Sequence, residues 1–179
     1  MSKKEISAEE SYKLINFGPC CLITAGNMHI KNIAPVAWLT PLNDEPALMA
    51  VCVASSHYTA HLIRKYKQFV VNVPSAKQRN LVIKAGSISG KRKDKIEWLK
   101  IPIENGKVIS TIHMKECVGF LELKLVSEKT FSGVSLFIGK VVFCEVEKSM
   151  YSTHILPDRA KTIHHIGSNK FFVSSKIIR

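Results

Sequence analysis

Residues 120–146, FLELKLVSEKTFSGVSLFIGKVVFCEV, contain two strand patterns in direct succession. Polar and apolar residues alternate in Phe120–Leu125, which predicts a strand with one buried face and one solvent-facing face. Val134–Val146 is a long β-rich segment, and Gly139 within it indicates a bulge or a bend. A doubly wound parallel sheet is disfavoured, because it needs a helix between most of its strands and this half of the chain has no such helix pattern.

The rest of the chain adds short strands and two short helices. Strand patterns lie at residues 20–26, 29–38, 47–54, 69–73 and 170–174. Residues 57–66 predict one helix, and a second begins at the capping box of Ser75 and Gln78 and ends at Gly86. Residues 39–46 contain two prolines with Asn-Asp between them, which is typical of a loop. Many short strands with two inserted helices predict a mainly β fold, a closed or split antiparallel barrel.

The length and the composition predict a single globular domain that spans residues 1–179. Of the 179 residues 46% are hydrophobic and 22% are charged, which allows a sizeable core and excludes the composition of a disordered protein. No internal repeat or Gly/Ser linker divides the chain. No apolar run approaches the ~20 residues of a membrane-spanning helix, and no apolar stretch follows Met1–Glu5. We therefore expect neither a membrane protein nor a secreted one.

The net charge of +12 is concentrated in one part of the chain. Residues 51–100 contain 11 basic residues against two acidic ones, a local net charge of +9. This concentration favours a partner that carries phosphate, whether nucleic acid, an acidic lipid or a phosphorylated small molecule, and a solvated basic face is the alternative. Nucleic acid is disfavoured, because Trp98 is the only aromatic residue between Gly86 and Lys100.

The five cysteines indicate reduced thiols rather than a disulfide framework. Cys20 and Cys21 are adjacent, and adjacent residues rarely reach disulfide geometry. Cys52, Cys117 and Cys144 lie in or beside apolar, strand-like runs, so we expect them to be buried. No Cys/His spacing supports a zinc site. This usage of cysteine is typical of a cytoplasmic protein.

Two segments of the basic region could bind an anion. Ser55–Thr59 lies where a strand leads into a helix, and the first N–H groups of a helix have no intrahelical partner. The alternative is that Ser55 or Ser56 only caps the helix. In the second segment, Ser87–Gly90 is followed by the basic run Lys91–Lys95, so that backbone can approach a ligand while cations neutralise it. A solvated basic turn is the alternative there, but two such segments in one basic region favour a shared phosphate.

The sequence carries no catalytic side-chain motif. The patterns G-x-S-x-G and H-E-x-x-H, the Walker loop and the dinucleotide pattern G-x-G-x-x-G are all absent. His164 and His165 are adjacent, so they point in different directions and make a poor metal pair. We therefore expect neither a nucleophile nor a metal site.

Six short segments follow one another in a distinctive order. They are PVAWLTP at 35–41, SSHYT at 55–59, FVVNVP at 69–74, GSISG at 86–90 with Asp94-Lys95, LFIGKV at 136–141 and IHHIG at 163–167. In order and spacing they resemble the flavin reductase-like family of FMN-binding split barrels, which includes the flavoredoxins. The resemblance covers about residues 18–172, and it implies a Greek-key split barrel that pairs as a homodimer.

The resemblance also implies a function. The first hypothesis is an NAD(P)H-dependent flavin reductase, which has FMN as cofactor and NADH or NADPH as co-substrate. Such an enzyme transfers a hydride from the nicotinamide to FMN. The alternative is a flavoredoxin-like electron-transfer protein that holds FMN without nicotinamide turnover and serves a redox partner protein. A third hypothesis, independent of the resemblance, is a nucleic-acid or acidic-surface binder that uses the basic segment.

The resemblance implies contacts to FMN and assigns no catalytic side chain, because the flavin carries the chemistry. Trp38–Pro41 would flank the isoalloxazine ring, Ser55–Thr59 would hold phosphate and ribityl oxygens, and Ser87–Lys95 would close over the phosphate. The implied contact residues are Trp38, Leu39, Thr40, Pro41, Ser55, Ser56, Tyr58, Thr59, Asn72, Ser87, Ser89, Gly90, Lys93, Lys95 and His165.

Overall fold

Eleven strands and four short α-helices make up the part of the chain that the computed structural model describes, residues 4–175 and 177. The strands are β1 Cys21–Gly26, β2 Lys31–Val36, β3 Leu39–Asp44, β4 Ala47–Ala54, β5 Gln68–Val73, β6 Ile103–Asn105, β7 Ile112–Met114, β8 Gly119–Phe131, β9 Val134–Val146, β10 Ile163–Gly167 and β11 Lys170–Val173. The helices are α1 Tyr58–Tyr66, α2 Arg79–Ser87, α3 Lys95–Trp98 and α4 Pro157–Ala160. Single 3-10 turns or short runs occur at Ala8–Leu14, Ala76–Gln78 and Lys148–Met150.

Seven antiparallel strands form the main sheet in the order β2-β1-β5-β8-β9-β4-β3. The hairpins β6–β7 and β10–β11 form two small separate sheets. Strands β2 and β4, which are far apart in the sheet order, come into contact, because the twisted sheet curls round on itself. The prediction of a mainly β split barrel with short helices is therefore confirmed.

The β8–β9 hairpin has the longest strands, and one part of its prediction was wrong. Two bulges interrupt the hairpin, and neither has Gly139 as its extra residue. Gly139 pairs with Leu125 and the next pair is Ile138 with Ser127, so the extra residue of one bulge is Val126 on β8. The other bulge has Val142 on β9 as its extra residue, between the pairs Phe143–Glu122 and Val141–Leu123. Gly139 instead provides space for the core, because a Cβ there would lie 2.8 Å from Phe69 Cζ. Its missing side chain therefore serves packing.

The barrel core determines where the helices lie. Phe69, Leu123 and Phe137 come from three different strands and are fully buried, and Leu62 and Ile63 of α1 pack into the same cluster. Helices α2 and α3 pack on β2. Helix α1 also contacts β2, and the start of α1 and the end of α2 meet beside this strand, where the candidate site lies.

Two further expectations are corrected by the structure. Residues 39–46 are not a loop, since Leu39–Asp44 forms β3 at the edge of the sheet. An edge strand tolerates Pro41, because one side of it needs no backbone donor. Cys144 is exposed, and Cys52 and Cys117 are only partly buried, although all five cysteines are free.

The predicted boundaries of the helices shift by one residue. Helix α1 begins at Tyr58 rather than His57, and α2 ends at Ser87 rather than Gly86. The capping box of Ser75 and Gln78 is present, although it opens a 3-10 turn that leads into α2. Within the described residues, none of the helices is both long enough and apolar enough to cross a membrane.

Candidate functional site

Two adjoining clefts lie between β2, the start of α1 and the end of α2. The wide cleft, of about 480 Å³, is lined by Cys20, residues 35–38 and 52–54, His57, Val82, Ile83, Gly86, Ser87, His165, Ser168, Asn169 and Phe171. The narrow cleft, of about 300 Å³, is lined by Asn32, Ala34, Pro35, residues 56–59, residues 85–90 and Lys95. Four residues line both, namely Pro35, His57, Gly86 and Ser87. The clefts therefore form one continuous depression with a wide and a narrow part.

The narrow cleft brings together the two segments that the sequence indicated as separate anion sites. Ser56–Thr59 forms one wall at the start of α1, and Ser87–Gly90 forms another. His57 is the N-cap residue of α1, and within the described part of the chain no side chain makes a capping hydrogen bond to the helix. The capping role considered for Ser55 or Ser56 is therefore not seen, and the N-terminal N–H groups of this nine-residue helix keep their capacity to bind an anion.

Lys95 contributes a buried cation to the narrow cleft. The residue is only 5% exposed, and its Nζ donates hydrogen bonds to the carbonyl oxygens of Ile33 (2.9 Å) and Ala85 (2.6 Å). The neighbouring carboxylate of Asp94 pairs with Lys31 at 3.4 Å instead. In the part of the chain that the structure describes, no carboxylate forms an ion pair with Lys95. Removal of the ammonium from water lowers the pKa of Lys95 to about 8.

Ser55 lies next to the narrow cleft but is occupied elsewhere. Its hydroxyl is 2.7 Å from Ser135 Oγ, and its carbonyl oxygen accepts a hydrogen bond from Arg64 Nη1 at 3.0 Å. Arg64 also binds both carboxylate oxygens of Glu128, and this contact lowers the pKa of Glu128. The arrangement anchors the turn that leads into α1, and the sequence offered no local signal for Arg64 or Glu128.

The wide cleft has mostly apolar walls with a few polar groups. Trp38 stands at one side, 49% exposed, with its ring edge-to-face against Tyr12 at 5.7 Å. Val82 and Ile83 of α2 and Phe171 of β11 also line the cleft. A slot of this kind accommodates a flat, largely apolar ring system.

His165 supplies a polar group to the wide cleft. Its Nε2 donates a hydrogen bond to the Ser168 carbonyl oxygen at 2.7 Å, which leaves Nδ1 as an acceptor. His164 faces away, with Nδ1 2.7 Å from the Phe17 carbonyl oxygen and its ring stacked on Phe172. The prediction that the two histidines point in different directions is confirmed.

Thiols also line the wide cleft, but they are not activated. Burial raises the pKa of Cys20 to about 11 and also raises the pKa of Cys52. Both thiols therefore stay protonated at neutral pH, whereas a nucleophilic cysteine needs a lowered pKa. Covalent catalysis by these side chains has no support in the site.

Nine of the fifteen predicted contact residues line a cleft. They are Trp38, Ser56, Tyr58, Thr59, Ser87, Ser89, Gly90, Lys95 and His165. The other six lie outside both linings, namely Leu39, Thr40, Pro41, Ser55, Asn72 and Lys93.

The residues outside the linings have other partners. Asn72 is buried in the barrel, where Nδ2 donates to the Leu22 carbonyl oxygen at 2.8 Å and Oδ1 accepts from the Met114 N–H at 2.7 Å. Lys93 places its ammonium 4.4 Å above the Trp98 ring on the surface. The Thr40 hydroxyl donates to the Pro41 carbonyl oxygen at 3.2 Å on the exposed face of β3.

Several lining residues were not predicted individually. Asn32, Ser168, Asn169 and Phe171 are distant from the serine segments in sequence, and only the packing of β2 and the β10–β11 hairpin brings them to the clefts. His57 stood within the 55–59 segment, yet its type alone indicated no role.

A known domain family matches most of the chain. The flavin reductase like domain matches residues 17–165. An uncharacterized protein of Archaeoglobus fulgidus is 33% identical over 121 residues, which cover 68% of this chain and 68% of that protein.

Solved structures share the fold at low sequence identity. The flavoredoxin from Methanosarcina acetivorans superimposes with a TM-score of 0.88 at 21% identity, over 100% of this chain and 95% of that one. An FMN-binding protein from Thermus thermophilus with bound p-hydroxybenzaldehyde gives a TM-score of 0.84 at 22% identity, over 100% of this chain and 98% of the other. At this level of identity the likeness concerns the fold.

Proposed function

The chain belongs to the flavin reductase-like family, and we propose that it binds FMN in the two clefts and reduces it with NADH or NADPH. The observation that carries the proposal is the Lys95 ammonium, which is buried at the narrow cleft without a carboxylate partner among the described residues. A buried charge is unfavourable unless it is compensated, and the phosphate of FMN would compensate it.

The narrow cleft would hold the phosphate. Backbone N–H groups at the start of α1 and the hydroxyls of Ser56, Thr59 and Ser89 are hydrogen-bond donors, and phosphate oxygens accept strongly from such donors. Gly90 has no side chain to occupy the space next to Tyr58, since a Cβ there would lie 3.1 Å from Tyr58 Cδ1. The same donor set would bind riboflavin less well, because riboflavin lacks the charged group.

The wide cleft would hold the isoalloxazine ring. When bound, FMN would supply the redox chemistry, which is acceptance of a hydride from reduced nicotinamide and onward electron transfer. The chain's own residues orient and shield the ring: Trp38, Val82 and Phe171 exclude water from it, and His165 presents an acceptor nitrogen to its polar edge. The backbone of Leu39–Pro41 would follow the rim of the ring beyond Trp38.

We extend the proposal to a cytoplasmic homodimer that delivers electrons to a redox partner protein. Support for the dimer comes from two exposed apolar side chains, Trp38 in the lining of the wide cleft (49% exposed) and Leu42 (50% exposed). Leu42 lies on the edge strand β3. A second copy that covers this edge would bury both side chains and protect the unpaired edge of the sheet.

The test is to load the protein with FMN, remove free flavin and mix it anaerobically with NADH or NADPH. We expect the visible absorbance of the bound flavin to bleach on the timescale of turnover. A protein that retains FMN without bleaching would be an electron carrier of the flavoredoxin kind, which contradicts the reductase proposal. A protein that binds no FMN contradicts the whole proposal, and salt-sensitive binding to DNA or RNA by such a protein would favour the nucleic-acid hypothesis.

A further inference from the structure

The narrow cleft contains a buried polar atom, the side-chain oxygen of Asn32, which has no hydrogen-bond partner among the residues that the structure describes. Asn32 lies on β2 and is only 3% exposed. The other end of its amide is engaged, since Nδ2 donates a hydrogen bond to Thr59 Oγ1 at 2.8 Å. Thr59 is in the first turn of α1 and is 1% exposed.

The hydrogen bond between Asn32 and Thr59 determines what the Thr59 hydroxyl can do. A hydroxyl has one hydrogen to donate and oxygen lone pairs that accept. Because the Asn32 amide donates to the Thr59 oxygen, the hydrogen of the Thr59 hydroxyl remains available for a different acceptor. Thr59 lines the narrow cleft, so an acceptor group of a ligand in this cleft can take that hydrogen.

Asn32 also lies directly beneath the serine loop. A Cβ at Gly90 would overlap Asn32 Oδ1, so the backbone of the loop closes tightly over the amide. One side chain from β2 therefore contacts both walls of the narrow cleft, the start of α1 through Thr59 and the Ser87–Gly90 loop through Gly90. An unpaired buried acceptor is unfavourable, so this arrangement is maintained at a cost in stability.

We propose that Asn32 is a positioning residue for phosphate recognition, which holds the Thr59 hydroxyl as a donor into the narrow cleft and so favours FMN over riboflavin. The inference rests on the proposed function and adds a residue and a specificity to it. A phosphate oxygen carries charge and accepts the Thr59 hydrogen in a strong, charge-assisted bond. The terminal hydroxyl of riboflavin is neutral and forms a weaker hydrogen bond. The affinity for riboflavin should therefore change little when the Thr59 hydroxyl is no longer oriented.

The experiment measures the dissociation constants of FMN and riboflavin for the wild-type protein, Asn32→Ala, Thr59→Val and the double variant. For Asn32→Ala we expect FMN to bind about tenfold more weakly and riboflavin to change by less than about twofold. The double variant should bind FMN no more weakly than Thr59→Val alone, because Asn32 acts through the Thr59 hydroxyl.

Two further variants test whether the loss of FMN affinity could arise from a loss of stability alone. Asn32→Asp keeps the shape of the side chain, but its carboxylate accepts the Thr59 hydrogen and repels phosphate, so its loss of FMN affinity should exceed that of Asn32→Ala. Thr111→Val removes another buried hydroxyl, one that donates to the Gly26 carbonyl oxygen at 2.8 Å away from both clefts. It should lower stability and leave both affinities unchanged.

The outcomes separate this inference from the proposed function. If the wild type prefers FMN and Asn32→Ala keeps the same ratio of the two dissociation constants, the positioning role is wrong and the proposed function stands. Additive losses in the double variant would likewise overturn the action through Thr59. A wild-type protein that binds neither flavin would overturn the proposed function itself, and the inference with it.

Discussion

The Lys95 ammonium donates a 2.6 Å hydrogen bond to the carbonyl oxygen of Ala85 in the last turn of α2. Carbonyl groups at the end of a helix lack intrahelical partners, and a cation there also interacts favourably with the helix dipole. This contact links the start of α3 to the end of α2. It also brings a positive charge to the narrow cleft, so one side chain serves both the fold and the candidate site.

Substitution of Lys95 should change how stability depends on pH. The pKa of Lys95 is about 8 in the folded protein, below its ordinary value of 10.5, because burial disfavours the charged form. Between these two values Lys95 binds more protons in the unfolded chain than in the folded chain, so its contribution to stability rises with pH. The rise is complete above pH 10.5 and absent below pH 8. Burial raises the pKa of Cys20, Cys21 and Cys117, so their titration lowers stability above about pH 9 in the wild type and in Lys95→Met alike. Urea unfolding of both proteins at pH 7, 9 and 10 should therefore show the free energy of unfolding of the wild type rising relative to that of Lys95→Met.

The affinity for FMN should fall as the pH rises above 8. Free Lys95 loses its proton in this range, whereas a bound phosphate would hold the proton and raise the pKa. The phosphate itself stays doubly charged, because its second pKa is about 6. We expect a fall of up to about tenfold per pH unit between pH 8 and 9.5 in titrations of the wild type. In Lys95→Met the affinity should be weaker and independent of pH, and an equal fall in both proteins would contradict the role of Lys95.

Two adjacent serines should respond differently to substitution. Ser56 lines the narrow cleft, whereas the Ser55 hydroxyl contacts Ser135 Oγ at 2.7 Å. A hydrogen bond to a charged group contributes ~1.5–3 kcal/mol, so Ser56→Ala should weaken FMN binding about tenfold or more. Ser55→Ala should mainly lower the free energy of unfolding. Equilibrium dialysis measures the FMN affinity of both variants. Equal losses would contradict the prediction, because Ser56 would then contribute no more to FMN binding than Ser55 does.

Tryptophan fluorescence should report which end of the site holds the ring. Trp38 lines the wide cleft, while Trp98 lies under Lys93 outside both clefts. FMN should therefore quench the emission of Trp98→Phe, in which only Trp38 remains. The emission of Trp38→Phe should change much less on FMN addition. The reverse pattern would place the ring away from the wide cleft.

Gly90 should not tolerate a side chain, in contrast to Gly18. An alanine Cβ at position 90 would overlap Asn32 Oδ1 and approach Tyr58, so the Ser87–Gly90 loop must move away from the narrow cleft. At position 18 the nearest atom to such a Cβ is the Leu39 carbonyl oxygen, 3.9 Å away. Gly90→Ala should lose FMN affinity by about tenfold or more, and Gly18→Ala should retain it. Isothermal titration of both variants checks the contrast, which would disappear if the loop does not contact the ligand.

The elements that could be predicted from sequence are those with a strong local pattern. Val134–Val146 was predicted with the bounds that β9 has, and α1 differs by one residue, because alternation and helical spacing act over a few neighbouring residues. Strand β3 was missed, since its pairing with β4 outweighs the turn preference of its prolines. Strands β6 and β7 have three residues each, too few for a periodic pattern.

The sequence by itself determined the composition of the candidate site: a basic region with two serine-rich segments and a sheet of antiparallel strands to hold them. Only the tertiary structure decided which side chains of that region face the clefts. Lys93 and Lys95 are two residues apart in one basic run, yet Lys93 is exposed and Lys95 is buried against Ile33 and Ala85. The reason is that the burial of Lys95 depends on β2 and α2, which are packed against it by the fold. Contacts of this kind cannot be predicted from a local sequence pattern.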